Sequence, residues 1–367
     1  MSITVAALRE TAAGERRVAI TPETARKFVG RGMRVLLERD AGVAAGFPDS
    51  SYANVDWADG AAVAAAADIL LCVLPPTDDA LAKLREGSMV AGQLRPYGAR
   101  ARLELLAGRR VTAFALERLP RSTRAQAMDT LSSQAAVAGY RAAILAAEAA
   151  PRFFPMLTTA AGTIRPSRVL VIGAGVAGLQ ALATARRLGA QVEGYDVRPE
   201  TREQVQSLGA RFLELGVSAS GSGGYARELS AEERARQQQA LSEHLRGIDV
   251  LITTAAVPGR PAPRIVSADM VAGMKPGSVI LDLAAESGGN CALTVPGQRI
   301  EHQGVSILGP VNLAAGHPLH ASEMIARNFA HFVELLVDKS GTLSPDFSDE
   351  LLAQSCVTQD GAVKFVE

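Results

Sequence analysis

Two stretches hold residue types at spacings that can do chemistry. From Arg121 to Gln134 the chain reads RSTRAQAMDTLSSQ, and nearly every second side chain there can hydrogen-bond. Gln126, Asp129 and Ser132 recur at every third position, the spacing that sets side chains along one face of a helical turn. Such a face serves either as a solvated helix cap or as the wall of a ligand site. It offers donors and acceptors but no histidine or lysine, which suits alignment of a reactant rather than proton transfer. The second stretch is Gly173, Gly175 and Gly178, spaced G-x-G-x-x-G directly after RVLVI and at the head of a helix-like run. Glycines so placed permit a tight turn and let the backbone approach a pyrophosphate at a helix N-terminus. Asp196 follows Gly178 by eighteen residues and ends the next strand-like run. A carboxylate there accepts hydrogen bonds from both ribose hydroxyls of NAD and repels a 2′-phosphate, although Arg198 close by could instead favour NADP. The whole context reads as an NAD(H) site.

The groups that are missing narrow the chemistry further. A dehydrogenase acting on an alcohol, amine or carbonyl moves a proton alongside the hydride. The five histidines are His244, His302, His317, His320 and His331, and none falls at a strand end or turn of the first two thirds of the chain. They form no cluster of metal-ligand spacing, so no metal is expected. Hydride passed from one nicotinamide to another needs alignment and no proton transfer, and the residues present are consistent with that. Lys and Arg (38) balance Asp and Glu (38), and aromatics make up only 4%. That leaves no field or stacking platform for nucleic acid. Cys72, Cys291 and Cys356 lack any CxxC spacing, as expected of a reducing cytoplasm. MSITVAALRE is no signal peptide and no window of about eighteen apolar residues occurs, so the chain itself is not expected to span a membrane.

The elements that must position these residues alternate. ITVAAL, RVLLE, DILLCVL (68–74), MVAGQL (89–94) and VTAFALE (111–117) read as strands, with a helix starting at the Thr21-Pro22 cap. Residues 121–150 read as one long helix ended by Pro151. RVLVI, DVLITTAA, SVILDLA and VSILG then supply a second strand series, and EMIARNFAHFVELLVD returns to helix. The expected fold class is α/β, with two Rossmann-like domains of parallel sheets joined by long helices. The expected boundaries are 1–125 plus 325–367 for a discontinuous first domain, 126–150 for a linking helix, 151–310 for the NAD(H)-binding domain and 311–324 for a return linker. The Gly/Ser-rich segment 216–229, followed by a Ser230/Glu233 capping box, reads as a surface excursion or a lid with Tyr225 at its tip. Arg16 and Arg17 could hold a carboxylate but read first as a solvated pair. Asp282 reads equally as a ligand neighbour or a turn cap.

In order along the chain, RSTRAQAMDTLSSQ, AGYRA, TTAAGT, GAGVAGLQA, YDVRPE, GGYARE, TTAAVPGRPAP, MKPGSVI and GGN resemble the NAD(H)-binding alpha subunit of proton-translocating NAD(P) transhydrogenase, in its separate alpha1 form. The resemblance implies a homodimer of two-domain chains with a cleft between the domains, peripheral on the cytoplasmic face of the membrane. It implies direct hydride transfer between NADH and NADP(H) held by a beta subunit, coupled to proton translocation through membrane-embedded alpha2 and beta subunits. It places Arg121, Gln126, Asp129 and Ser132 at the nicotinamide and its ribose, with Arg124 beside them and Tyr225 closing over the nucleotide. Gly173, Gly175, Val176, Gly178, Asp196, Val197, Arg198, Gly224, Gln237 and Ala256 match nucleotide-contacting positions. Two departures stand out: Ser122-Thr123 replaces Ile-Ser between the arginines, and Ala256 replaces a larger aliphatic residue. Alanine dehydrogenase shares the opening GERRVAITPE, but Leu74 and Gln93 stand where its lysine and histidine belong. A catalytically silent NAD-binding regulator is the third reading, and it would not need the polar 121–134 run.

Overall fold

The structure is a computed structural model and describes residues 2–219, 227, 229–256, 259–338 and 341–366. The chain divides into two compact units, Met1–Gln134 with Ala314–Glu367, and Ala135–Leu313. The first opens with β1 (Thr4–Ala7), α1 (Pro22–Gly30), β2 (Arg34–Glu38), β3 (Asp56–Ala58), α2 (Gly60–Ala66) and β4 (Ile69–Cys72). It continues through α3 (Asp78–Leu81), β5 (Met89–Gly92), α4 (Arg100–Gly108) and β6 (Thr112–Ala115), and the unit boundary falls within α5 (Thr130–Ala149). The second unit contains the hairpin β7 (Leu157–Thr159) and β8 (Gly162–Ile164), then β9 (Arg168–Ile172), α6 (Val176–Arg187), β10 (Gln191–Tyr195), α7 (Thr201–Ser207) and β11 (Arg211–Phe212). After α8 (Ala231–Leu245) come β12 (Val250–Thr253), α9 (Ala268–Ala272), β13 (Val279–Asp282), β14 (Arg299–His302) and β15 (Val305–Leu308). α10 (Pro318–Val333), α11 (Glu350–Ser355), β16 (Cys356–Gln359) and β17 (Ala362–Val363) complete the first unit.

Among the described residues the first sheet runs β3-β2-β1-β4-β5-β6-β16-β17 and the second β11-β10-β9-β12-β13-β15-β14. Both are α/β sheets of Rossmann-like order. β1, β4, β5, β12 and β13 are buried at every position, as parallel strands covered on both faces must be, and their runs are accordingly apolar throughout. The sheets are parallel through their centres, as expected, and each carries an antiparallel margin, β16 on β6 and β14 on β15. At the head of α1, Thr21 and Thr24 form a reciprocal capping box with Pro22 in the first turn, so that helix starts where its sequence directs.

The long helix departs from expectation. It does not run from 121, nor from 126, but begins at Thr130. Residues 126–128 form a 3-10 turn, and Asp129 leaves helical space at ψ 89°. The Asp129 carboxylate accepts the Ser132 N–H at 2.9 Å and the Ser132 hydroxyl at 2.5 Å. A side-chain acceptor for an otherwise orphaned first-turn N–H fixes a helix start at that residue.

Candidate functional site

In the second unit each glycine of the G-x-G-x-x-G turn answers a different demand. Gly173 sits at φ +94°, and a Cβ there would lie 2.5 Å from Thr254 Oγ1. A Cβ at Gly178 would lie 1.7 Å from the Gly173 carbonyl oxygen, so α6 packs against its own entry turn. Gly175 caps α6 and faces open space, with nothing within 4 Å of where a methyl group would stand and no side chain capping the first turn. The N–H groups of α6 are thereby left to an anion from outside, where the helix dipole also favours negative charge. Thr254 Oγ1 donates to the Gly173 carbonyl at 2.9 Å and locks the turn to the end of β12.

Asp196 stands over this turn. It is buried, and its Oδ2 accepts the Ala174 N–H at 2.7 Å. Arg198 grips the same carboxylate through Nε to Oδ1 (2.9 Å), Nη2 to Oδ2 (2.7 Å) and its own N–H to Oδ1 (2.9 Å). Val176 and Ala256 are exposed and Val197 is half-buried. Ala256 follows β12, the strand beside β9, so the carboxyl ends of β9, β10 and β12 bring the glycine turn, Asp196, Arg198 and Ala256 together. Gln237 is the exception. It is buried on α8 and donates to the Tyr195 hydroxyl at 2.8 Å, which makes it a brace between α8 and β10. Gly224 and Tyr225 lie outside the described residues.

In the first unit the 121–134 stretch is held from behind while its front stays open. Arg124 pairs with Asp349, and Asn328 Nδ2 of α10 donates to the Ala127 carbonyl at 2.8 Å. Ala125 and Met128 enter the apolar core. Gln134 receives Arg17 Nη1 at 2.8 Å and donates to the Ala321 carbonyl at 3.1 Å. The side chains of Arg121 and Gln126 are exposed. Sequence reading missed these braces because their partners lie far along the chain. Arg17 in particular is no solvated residue. It is 4% exposed, forks onto Glu15 through Nε (2.8 Å) and Nη2 (2.7 Å), and only Arg16 is exposed. Asp282 is likewise a staple, fully buried and accepting from Thr253, Ala284, Cys291 and Thr294. Asn290, inside the GGN motif, closes Ala255 to Pro263 through three bonds.

Among the described residues no group of three or more His, Cys, Asp or Glu side chains could hold a metal ion. His244 instead meets Glu193 at 2.5 Å, and this contact, with Arg168 adding to it, holds the Glu193 carboxyl below its ordinary range despite burial.

The alanine dehydrogenase/PNT N-terminal domain family matches residues 6–138 and the C-terminal domain family residues 142–365. The first portion of NAD(P) transhydrogenase subunit alpha from Rhodospirillum rubrum is 45% identical, over 98% of this chain and 97% of the relative. The chain belongs to the alanine dehydrogenase/PNT family, among the NAD(P) transhydrogenase alpha subunits. A solved transhydrogenase structure from Sinorhizobium meliloti superposes at a TM-score of 0.87, with 40% identity and 98% of each chain covered. Alanine dehydrogenase 1 of Staphylococcus aureus is more distant, at 27% identity over 91% of this chain and 88% of that one. The glycine turn and Asp196 fit the NAD(H) binding that this family implies, since the uncapped α6 terminus and the open Gly175 provide room and polarity for a pyrophosphate.

Proposed function

We propose that this chain is the NAD(H)-binding alpha component of a proton-translocating NAD(P) transhydrogenase. The observation that carries the reading is the Gly173–Gly178 turn at an uncapped helix end with Asp196 fixed above it by the Ala174 N–H. NADH supplies a hydride, which passes directly to NADP+ held by a partner beta subunit, and membrane-embedded alpha2 and beta subunits couple that exchange to proton movement. Gly173, Gly175, Val176 and Gly178 receive the pyrophosphate and its surroundings. Asp196, Val197, Arg198, Gly224 and Ala256 receive the adenosine, with Gln237 steadying the strand that presents Asp196. Arg121, Gln126, Asp129 and Ser132 align the nicotinamide and its ribose beside Arg124, and Tyr225 closes over the nucleotide. None of these residues need exchange a proton with the reactant. Buried Leu74 and the amide of Gln93 stand where a keto acid would require a cation and an acid.

No helix among the described residues is long and apolar enough to cross a membrane, and on this reading the chain attaches peripherally on the cytoplasmic face through its partners. A homodimer is supported by the β7–β8 hairpin. Every residue of both strands is exposed, and Phe153, Met156, Leu157 and Ile164 present apolar surface around it. A lone two-stranded ribbon is marginal in water and gains from being covered.

The test is reconstitution. The purified chain alone shows no transhydrogenation, and adding the NADP(H)-binding domain of a beta subunit restores hydride transfer from NADH. Turnover of alanine or pyruvate by the chain alone would overturn the proposal.

A further inference from the structure

We infer that the second unit contains a latent acceptor for the 2′-phosphate of NADP(H), namely Arg198, which Asp196 keeps out of service. The inference rests on the NAD(H) reading of the site and goes beyond it. Asp196 is expected to exclude NADPH by its charge alone, yet the geometry gives it a second task. Both of its oxygens are occupied by the Arg198 fork, at 2.9 Å and 2.7 Å, and the side chains of Arg198 and Asp196 are only 17% and 7% exposed. A guanidinium held in two parallel bonds has the planar geometry that also matches a phosphate. It already stands beside the carboxylate that a ribose 2′-oxygen would approach.

The position of Arg198 does not depend on the ion pair alone. Thr201 Oγ1 donates to the Arg198 carbonyl at 2.7 Å, and the Thr201 N–H reaches the same oxygen at 3.2 Å, so the entry of α7 holds its backbone. The neighbouring Arg202 is engaged by Glu214 at 2.7 Å. Removing the Asp196 charge therefore leaves Arg198 on a fixed backbone beside the 2′-position. In the native chain a 2′-phosphate must both face Asp196 and compete with it for Arg198. Selectivity for NAD(H) thus comes from one carboxylate acting twice.

The experiment titrates the purified full chain with NADH and with NADPH, read by nucleotide fluorescence. The wild-type chain prefers NADH. Asp196→Asn keeps an oxygen for the Ala174 N–H but cancels the charge. It tightens NADPH binding by about tenfold to a hundredfold, the range of one charge-assisted hydrogen-bond pair. Combining Asp196→Asn with Arg198→Ala removes that gain, and raising salt weakens NADPH binding to Asp196→Asn more than it weakens NADH binding. Asp196→Ser provides the same comparison if the asparagine disturbs the turn, and a thermal unfolding scan reports whether each variant is folded. Unchanged NADPH affinity in both folded single variants, or a gain that survives loss of Arg198, overturns the inference. Failure of the wild-type chain to bind NADH would contradict the NAD(H) reading itself instead.

Discussion

The two units order their strands alike, β3-β2-β1-β4-β5-β6 in the first and β11-β10-β9-β12-β13-β15 in the second. Each therefore has a switch point where strand order reverses, between β1 and β4 and between β9 and β12, the place where open α/β sheets bind ligands. The likeness extends to single hydrogen bonds. Glu38 closes β2 and accepts the N–H of Arg9, two residues beyond β1, at 2.8 Å. Asp196 follows β10 and accepts the N–H of Ala174, two residues beyond β9, at 2.7 Å. The difference lies in what fills the crevice. In the second unit a short glycine turn leads into a helix with no side-chain cap. In the first, residues 8–21 intervene, α1 is doubly capped, and the chain's own carboxylates move in. Glu10 accepts the Val73 and Leu74 N–H groups at 2.5 and 3.2 Å, and the Glu15–Arg17 pair lies buried nearby in the same connection. A cavity of about 160 Å³ lies among Arg9, Glu10, Glu38 and Cys72. One topology thus yields a self-satisfied crevice in one unit and a receptive one in the other.

The sharpest way to break this contrast is Arg17→Met, which strands Glu15 in a buried site. It should cost about 3–5 kcal/mol of stability, measured as a shift in the denaturant midpoint, and adding Glu15→Gln should recover part of the loss. Gly178→Ala forces a methyl into the Gly173 carbonyl. It should weaken NADH binding about a hundredfold in a fluorescence titration, a loss of ~2.7 kcal/mol. Gly14→Ala, in the first unit's corresponding connection, meets nothing within 4 Å. Its strained φ of +74° should cost roughly 1 kcal/mol of stability while leaving NADH binding intact. Gln126→Asn separates alignment from binding. Hydride transfer to a reconstituted partner should slow by about tenfold or more, while NADH affinity changes far less.

A separate effect is on pH dependence, and its sign differs between the units. Burial lifts the Glu10 carboxyl from 4.5 to about 7, against the opposing bonds from Val73 and Leu74. A raised carboxyl binds its proton more tightly when folded, so wild-type stability relative to Glu10→Gln should fall as pH rises from about 4.5 to about 7. Glu193 is held low by His244 and Arg168. Its contribution is present above the ordinary carboxylate range and is lost as pH falls below it. Stability relative to Glu193→Gln should therefore drop on acidification below about 4.3. Chemical denaturation across pH reads both, and parallel slopes for the two variants would contradict the contrast.

What could be read from the sequence was whatever its own neighbours determine. Gly173 and Gly178 are required by a positive φ and by a contact five residues away, so the motif carries its own geometry. Buried parallel strands such as Ile69–Cys72 announce themselves by continuous apolarity. The Ser230–Glu233 capping box is equally local, and it forms. The start of α5 is hidden in the sequence because the helical pattern runs on smoothly while a single side chain, Asp129, decides the boundary. β16 and β17 are not legible in the sequence because four- and two-residue strands take their identity from their partners, β16 from β6 and β17 from β16. Arg17 meets Gln134 across 117 residues, and Asn328 reaches Ala127 across 201. No local pattern marks either contact, though both steady the 121–134 stretch.

On the proposed reading the second switch point receives NAD(H) and the first does not. Amide hydrogen exchange of the full chain, with and without saturating NADH, tests it residue by residue. Exchange should slow in the Gly173–Leu179 turn and at Val197–Arg198, and stay unchanged at Leu8–Glu15 and Val73–Leu74. Equal protection of the first unit's crevice, or none at the glycine turn, would contradict it.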